Sequence, residues 1–316
     1  MQAQPYSAGV TSLATPTVAA PVRRRTALAY LALAGVMVTW GMGPPLSKLI
    51  TGPPTTVATT RMWMAVPLTY VVLRSQGGRP SWAGLRRSLW GGLFFGANIG
   101  FFFLTLRHAS VATITLIGVL QPVIVGLAAV RLFGEHLTRW GVAWTLVAIG
   151  GVAGAVLVAG KDVRATPAGI GLSVLTISCL SAYLLASRQA RRTLAPNEYL
   201  FGVMVWAAAV LTVPLLIDGP HWGSLGRADW LWLAVVLVGP GWLGHLLMNW
   251  AITEVPMSIS SLQMLPSTVV SIAAAWLINH ERVTMPEALF GLVTLAAVGF
   301  VVRGPHRRAR PRPAPG

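Results

Sequence analysis

Thr39-Trp40-Gly41-Met42-Gly43-Pro44-Pro45-Leu46-Ser47-Lys48 is the most irregular part of the first apolar run in the sequence. It lies in an apolar run over about 27–50, which is long enough to cross a bilayer, since roughly 20 residues span the hydrocarbon core. Two glycines and two prolines interrupt that run, and proline removes a backbone donor. A backbone group freed inside lipid is tolerated only beside protein or a water-filled cavity. The stretch therefore predicts a first helix broken at Gly41, Gly43, Pro44 and Pro45, beside a polar cavity.

The composition is that of an all-α integral membrane protein. Hydrophobic residues make up 54% of the 316 residues and charged residues only 10%, against about 25% charged in a typical soluble protein. The net charge of +16 does not indicate a nucleic-acid partner, because the arginines cluster between apolar runs and at both termini, as the positive-inside bias predicts. The expected surroundings are a lipid bilayer.

The sequence contains ten apolar runs of spanning length. Short connections join them, and the tails 1–26 and 303–316 are expected to be disordered and cytoplasmic. The predicted helices are 27–50, 56–73, 89–106, 110–132, 140–159, 168–187, 199–217, 230–251, 257–278 and 286–302.

Lys and Arg set the predicted orientation. With a cytoplasmic N-terminus, 17 of them fall on the inside and six on the outside, and Arg61 lies within a span. This asymmetry predicts ten helices in the cytoplasmic (inner) membrane with both termini in the cytoplasm.

The two halves, 27–159 and 168–302, are predicted to be repeats. A shift of 146 residues aligns Glu135 with Glu281 and Thr138 with Thr284. Five helices per half is an odd number, so the second half must be inverted relative to the first. Inverted repeats place a binding site at their interface near the midplane. We expect helices 1, 3, 4, 6, 8 and 9 to line that cavity.

Several motifs together resemble the drug/metabolite transporter superfamily, in its EamA-like branch of ten-helix carriers with two EamA domains. The resemblance implies an inner-membrane carrier that works by alternating access and moves amino acids, other small metabolites or drugs, often outward. Two departures concern helix nine: Pro266 lies 15 residues before Glu281, whereas Pro122 lies 13 before Glu135, and His280 replaces the glycine before the glutamate. The motifs are Trp40-Gly41 with Lys48, Arg61 in Ala58-Thr59-Thr60-Arg61, Gln121-Pro122, Gly134-Glu135-His136-Leu137-Thr138 and Glu281-Arg282-Val283-Thr284.

Two cations near the outer helix ends are candidate anion anchors. Arg61 lies about one and a half turns inside the second span, and Lys48 lies at the outer end of the first. Each either faces the cavity, where it favours a carboxylate, or extends outward along its long stem to reach the interface. No acidic residue lies at the centre of a span; Glu135 and Glu281 stand at helix ends, where capping or pairing with an arginine is expected.

Uncharged polar side chains within the spans are the other candidates, since polar groups in lipid tend to face a cavity or a partner. Asn98 and Gln121 either bind substrate or hydrogen-bond another helix. His245 either carries a proton, since the reference pKa of histidine is about 6.5, or stays neutral and bonded to another helix. Trp40 either lines the pocket or packs. The predicted substrate-binding residues are Trp40, Asn98, Gln121, Ser181, His245, Asn249 and Gln263.

The alternative is a membrane-embedded enzyme acting on a lipid or polyprenyl substrate. The sequence offers no catalytic motif, no zinc-binding Cys/His cluster and no cofactor signature, so no catalytic residue, metal or cofactor is predicted. The partner expected is a small-molecule substrate. The identity of that substrate, the direction of transport, the coupling ion and a homodimer are left open.

Overall fold

The computed structural model describes residues 20–121, 123–125, 128, 132, 139–158, 166–254, 264–281 and 283–303. Within these residues the chain forms ten helices, and a short 3-10 turn, Trp222–Ser224, precedes the eighth. Most bounds lie within three residues of the predicted spans. The exceptions are α1, which begins inside the predicted tail, α3, which begins seven residues earlier than predicted, α4, which ends at Gly118 and not near position 132, and α9, which begins at Met264 and not at position 257. The helices are α1 (Ala20–Lys48), α2 (Pro54–Ser75), α3 (Trp82–His108), α4 (Val111–Gly118), α5 (Arg139–Val158), α6 (Pro167–Ala190), α7 (Pro196–Asp218), α8 (Arg227–Glu254), α9 (Met264–Asn279) and α10 (Met285–Arg303).

The starts of the helices follow from local chemistry. Ser81, Ser110 and Thr166 precede α3, α4 and α6, and each accepts a hydrogen bond from the backbone N–H three residues later. Such caps satisfy a donor that the helix itself leaves free. Proline at the first position begins α2, α6 and α7, where its missing N–H costs nothing.

The predicted all-α membrane fold is confirmed. Among the described helices, five are long and apolar enough to cross a membrane by length and composition: Ala27–Lys48, Trp82–His108, Pro167–Ala190, Pro196–Asp218 and Arg227–Glu254. Shorter apolar segments occur in α4, α5, α9 and α10.

The predicted break in the first helix is wrong. α1 runs uninterrupted to Lys48 with Pro44 and Pro45 inside it. Two consecutive prolines deprive only the carbonyls of Trp40 and Gly41 of their helical donors, and the helix ends three residues after the second. The end of a helix tolerates this loss better than its centre would.

Gly41 and Gly43 serve close packing instead. A Cβ atom at Gly41 would lie 2.7 Å from Cβ of Val270 and 2.8 Å from the carbonyl oxygen of Ser267, so α1 directly contacts α9 there. At Gly43 the nearest atom is Cβ of Pro240 in α8, at 3.4 Å. Small residues of this kind let membrane helices approach closely.

The irregular helix is α8. Its middle segment, Leu237–Leu243, is π-helical and contains Pro240, between α-helical segments Arg227–Val236 and Gly244–Glu254. Pro240 has no backbone N–H to donate within the helix. The π-helical turn around it holds more residues per turn than an α-helical turn does, and it accommodates this local break in the hydrogen bonding. Such turns are frequent at functional sites.

Eight helices form the core and two lie beside it. α1 packs along α8 and α9, α3 along α6 and α7, and α2 along α7. Three glycines at four-residue spacing let α3 approach α7 closely, since Cβ atoms at Gly92, Gly96 and Gly100 would each come within 3.0 Å of α7. α5 and α10 pack chiefly against each other, with the rings of Trp144 and Phe300 stacked at 4.4 Å.

We expect Gly41→Ala to lower the free energy of unfolding by about 1–3 kcal/mol, because the added methyl group overlaps Val270 and the backbone of α9. Gly171→Ala in α6 is the matched control, since no atom lies within 4 Å of its added Cβ. It should leave stability unchanged or slightly raised by helix propensity. Thermal unfolding of the two purified variants in detergent measures the difference, and equal midpoints would contradict close packing at Gly41.

Candidate functional site

A cavity of about 150 Å³ lies between the two halves of the chain. Its walls come from α1, α2, α3 and α4 of the first half and from α6, α8 and α9 of the second. The predicted set of helices is therefore found, and α2 joins it through Arg61. One part of the wall is apolar, formed by Ile99, Phe102, Ile114, Ile177, Leu180 and Val236.

Arg61 faces this cavity and does not extend to the interface. Its side chain is buried, with 4% exposed, and its Nε finds no hydrogen-bond partner among the described residues. Gly241, in the π-helical turn of α8, makes room for it, because a Cβ atom at Gly241 would lie 3.0 Å from an Nη atom of Arg61. The irregular turn thus brings a glycine to the guanidinium.

His245 stands in an aromatic enclosure on the cavity wall. Its ring centroid lies 4.5 Å from that of Phe95, 4.8 Å from that of Trp40 and 5.5 Å from that of Tyr183. Its Nδ1 has no hydrogen-bond partner within the described part of the chain. The expected bond to another helix is therefore not made by Nδ1, and ring contacts hold the imidazole.

Trp40 lines the cavity, and its indole edge rests on α8. A Cβ atom at Gly244 would lie 2.6 Å from Nε1 of Trp40. That N–H is buried and has no partner in the described residues, as is also true of the hydroxyls of Ser47 and Ser271 on the same cavity. Buried donors without partners are costly, so their presence here indicates groups kept for a ligand or for water.

Asn98 also lines the cavity, and its side chain makes a hydrogen bond between two helices. Its Nδ2 donates to the carbonyl oxygen of Thr176 in α6 at 2.8 Å. The bond crosses from the first half to the second. Asn98 therefore both faces the cavity and ties α3 to α6, which combines the two roles expected for it.

Three predicted site residues are buried behind the cavity wall. Asn249 donates to the hydroxyl of Tyr183 at 2.8 Å and to the carbonyl of His245 at 2.8 Å. Ser181 donates to the carbonyl of Ile177 on its own helix, as helical serines commonly do. Gln121 is fully buried, and neither of its side-chain polar atoms is bonded within the described residues. Gln263 lies outside the described residues.

Lys48 lies away from the cavity, at the C-terminal end of α1. It pairs with Glu281, whose carboxylate also accepts from the backbone N–H of Val111 at the start of α4. The predicted capping role of Glu281 is found, with lysine as the ionic partner in place of arginine, and Glu135 lies outside the described residues. Lys48 is engaged in this contact and does not reach the cavity as an anion anchor.

Sequence reasoning missed several contributors to the site. These contributors are Ser47, Phe95 and Pro240. A single sequence does not show whether such a side chain faces the cavity, faces lipid or packs against another helix. Pro240 was readable as a helix irregularity, in the same way as Pro44 and Pro45, but nothing in the pattern indicated which of the two helices bends.

The arrangement is suited to reversible binding. Its polar side chains can donate hydrogen bonds, and no carboxylate is among the described residues that line it. The described residues also contain no group of three or more His, Cys, Asp or Glu that could hold a metal ion. A small molecule enclosed here would contact both halves of the chain at once.

Comparisons with known proteins agree with the all-helical fold and its two halves. A crystal structure titled only "Crystal structure of protein" superposes with a TM-score of 0.64 over 87% of this chain and 96% of that chain, at 19% identity, which shows a shared fold. A comparison with curated proteins found no match. The EamA-like transporter family matches residues 27–157 and 167–303, so the two halves are confirmed as two repeats, and the family consists of transporters. The chain belongs to the EamA-like transporter family.

Proposed function

We propose that this protein is an inner-membrane carrier that exports a small metabolite, amino acid or drug by alternating access, with both termini in the cytoplasm. The observation that carries the proposal is a cavity whose walls come from both repeats. Inverted repeats that rock about such a site expose it to one side at a time. The outward direction rests on analogy with the family.

Polar contacts join the helices on the outer side of the cavity. Arg107 of α3 donates to the carbonyl of Thr51 at 2.6 Å, and the N–H of Thr51 donates to Asp229 of α8, also at 2.6 Å. The Lys48–Glu281 pair links α1 to the segment after α9 on the same side. The Thr51–Asp229 and Lys48–Glu281 contacts cross between the two repeats and would have to separate for the cavity to open outward.

A second group of contacts lies on the inner side. Asn249 of α8 bonds Tyr183 of α6 at 2.8 Å, and Arg191 donates from Nε to the backbone carbonyl of Asn249 at 3.1 Å. Ser187 and Tyr199 share a hydrogen bond of 2.8 Å beside them. Asn249, buried behind the cavity wall, in this proposal joins α8 to α6 within the second repeat and does not contact the substrate.

Asn98→Ala and His245→Ala should each abolish flux, because each removes a polar or aromatic group from the cavity wall. Flux is measured in proteoliposomes after membrane insertion of each variant has been verified. Asn197→Ala, at the exposed inner end of α7, is the control and should transport normally. Unchanged flux in both cavity variants would place the substrate elsewhere.

Single cysteines at Trp40 and Asn98, in a Cys179→Ser background, should be labelled by membrane-impermeant thiol reagents from either side of the membrane. Alternating access exposes the same wall to each side in turn. Inside-out and right-side-out vesicles provide the two directions of attack. Labelling from one side only under all conditions, including excess substrate candidates, would contradict the mechanism.

Glu281→Gln should shift the carrier toward the outward-open state, because it removes the ionic partner of Lys48 at the outer closure. The measurement is the rate at which the Asn98 cysteine is labelled from outside, which should rise several-fold. Glu198→Gln, which alters a contact with Ser81 at the inner end, is the matched control and should not raise that rate. Equal rates in the two variants would mean that the Lys48 contact does not close the outer side.

A further inference from the structure

We propose that the carried substrate is a small organic anion with one carboxylate and an apolar body, and that Arg61 pairs with the carboxylate. The inference rests on the proposed carrier function of this cavity and specifies what the cavity selects. The described residues around this site include no acidic partner for the guanidinium, so the substrate is inferred to supply it.

The first argument is the burial of an unpaired charge. Arg61 is 4% exposed, and no ion pair or hydrogen bond to it occurs in the described part of the chain. The sequence has only eight acidic residues, and none of those that the structure describes lines the cavity. A charged side chain within a membrane is costly and is expected to have a partner. An anionic ligand completes the pair.

The second argument is the placement of further donors. Gly241 leaves room for the guanidinium of Arg61 and Gly244 for the indole N–H of Trp40, so both donors lie against one short stretch of α8. The indole N–H can only donate. Arg61 presents a planar fork that matches a carboxylate with two parallel hydrogen bonds. Two donors converging on one stretch of wall suit an acceptor with two oxygens.

The third argument concerns the rest of the molecule that the cavity would hold. Away from these donors the wall includes the apolar side chains of Ile99, Phe102, Ile177 and Leu180 beside Ser and Thr hydroxyl groups, and it carries no carboxylate among its described residues. An ammonium group would find no counter-charge there. A second carboxylate would find no second Lys or Arg among the described lining residues, since Lys48 is paired with Glu281 outside the cavity. The charge balance therefore selects one negative charge and an apolar remainder.

Isosteric ligand pairs test the proposal directly. Benzoate and benzamide have nearly the same shape and differ in charge, as do hexanoate and hexanamide. Each is titrated at pH 7.5 into the purified full-length protein in nanodiscs, and the midpoint of thermal unfolding and calorimetric binding are recorded. We expect at least one carboxylate to bind about tenfold or more tightly than its amide, the difference that a charge-assisted pair typically contributes.

Arg61→Gln should reduce that carboxylate preference to about one, and Arg61→Lys should retain part of it, because lysine keeps the charge and loses the fork. Arg74→Gln is the matched control at the exposed end of the same helix, where Arg74 donates to the carbonyl of Gly78 at 3.2 Å. It should bind as the wild type does. The comparison of isosteric pairs in the wild type does not depend on whether the Arg61 variants fold.

The proposal is overturned if each amide binds as tightly as its carboxylate, if 2-phenylethylamine binds more tightly than both, or if the preference persists in Arg61→Gln. Stabilisation by chloride equal to that by the carboxylates would likewise overturn it, since the site would then hold an inorganic ion only. Proteoliposome flux separates the two proposals. Carboxylate binding without flux refutes the carrier and keeps the anion class, whereas flux of amines or amides keeps the carrier and refutes the anion class.

Discussion

Close approach of helices at glycine is the constraint on which the rest of this structure depends. Lipid offers no hydrophobic driving force for one helix to leave it for another, so membrane helices associate through packing and hydrogen bonds. Here Gly41 lets α1 approach α9 closely, and Gly244 of α8 makes room for Trp40 of α1. Gly92, Gly96 and Gly100 let α3 approach α7 in the same way. These contacts set the spacing of the walls around the cavity. Larger residues would separate the helices and the donors they carry.

The hydrophobic pattern was enough to predict the ten helices to within a few residues at most ends, because the length of an apolar run is a direct measure of the bilayer it must cross. It could also place the cavity between the halves, from the odd number of helices in each. It could not predict which proline irregularity bends a helix. Pro44 and Pro45 look more disruptive than Pro240, yet they stand near the end of a helix that stays α-helical, whereas Pro240 lies in a π-helical turn in the middle of α8.

The polar residues of the site were only partly predictable. Asn98, His245, Trp40 and Arg61 do line the cavity, whereas Asn249 and Ser181 bond to neighbouring backbone or side chains behind the wall. Sequence position gives the depth of a residue in the membrane but not the rotation of its helix. Lys48 shows a further reason why the site was only partly predictable. Its partner, Glu281, is 233 residues away along the chain, and no local sequence pattern indicates such a pair.

The buried charge of Arg61 also has an electrical consequence. An empty cavity carries one uncompensated positive charge, whereas a cavity holding a monovalent anion is neutral. The membrane potential, worth about 2.3 kcal/mol per charge for each 100 mV, then acts on the empty protein and not on the loaded one. With the cytoplasm negative, the empty site is drawn to face inward. Under the proposed cycle, the voltage across the membrane would return the empty carrier to the side from which an exported anion is collected.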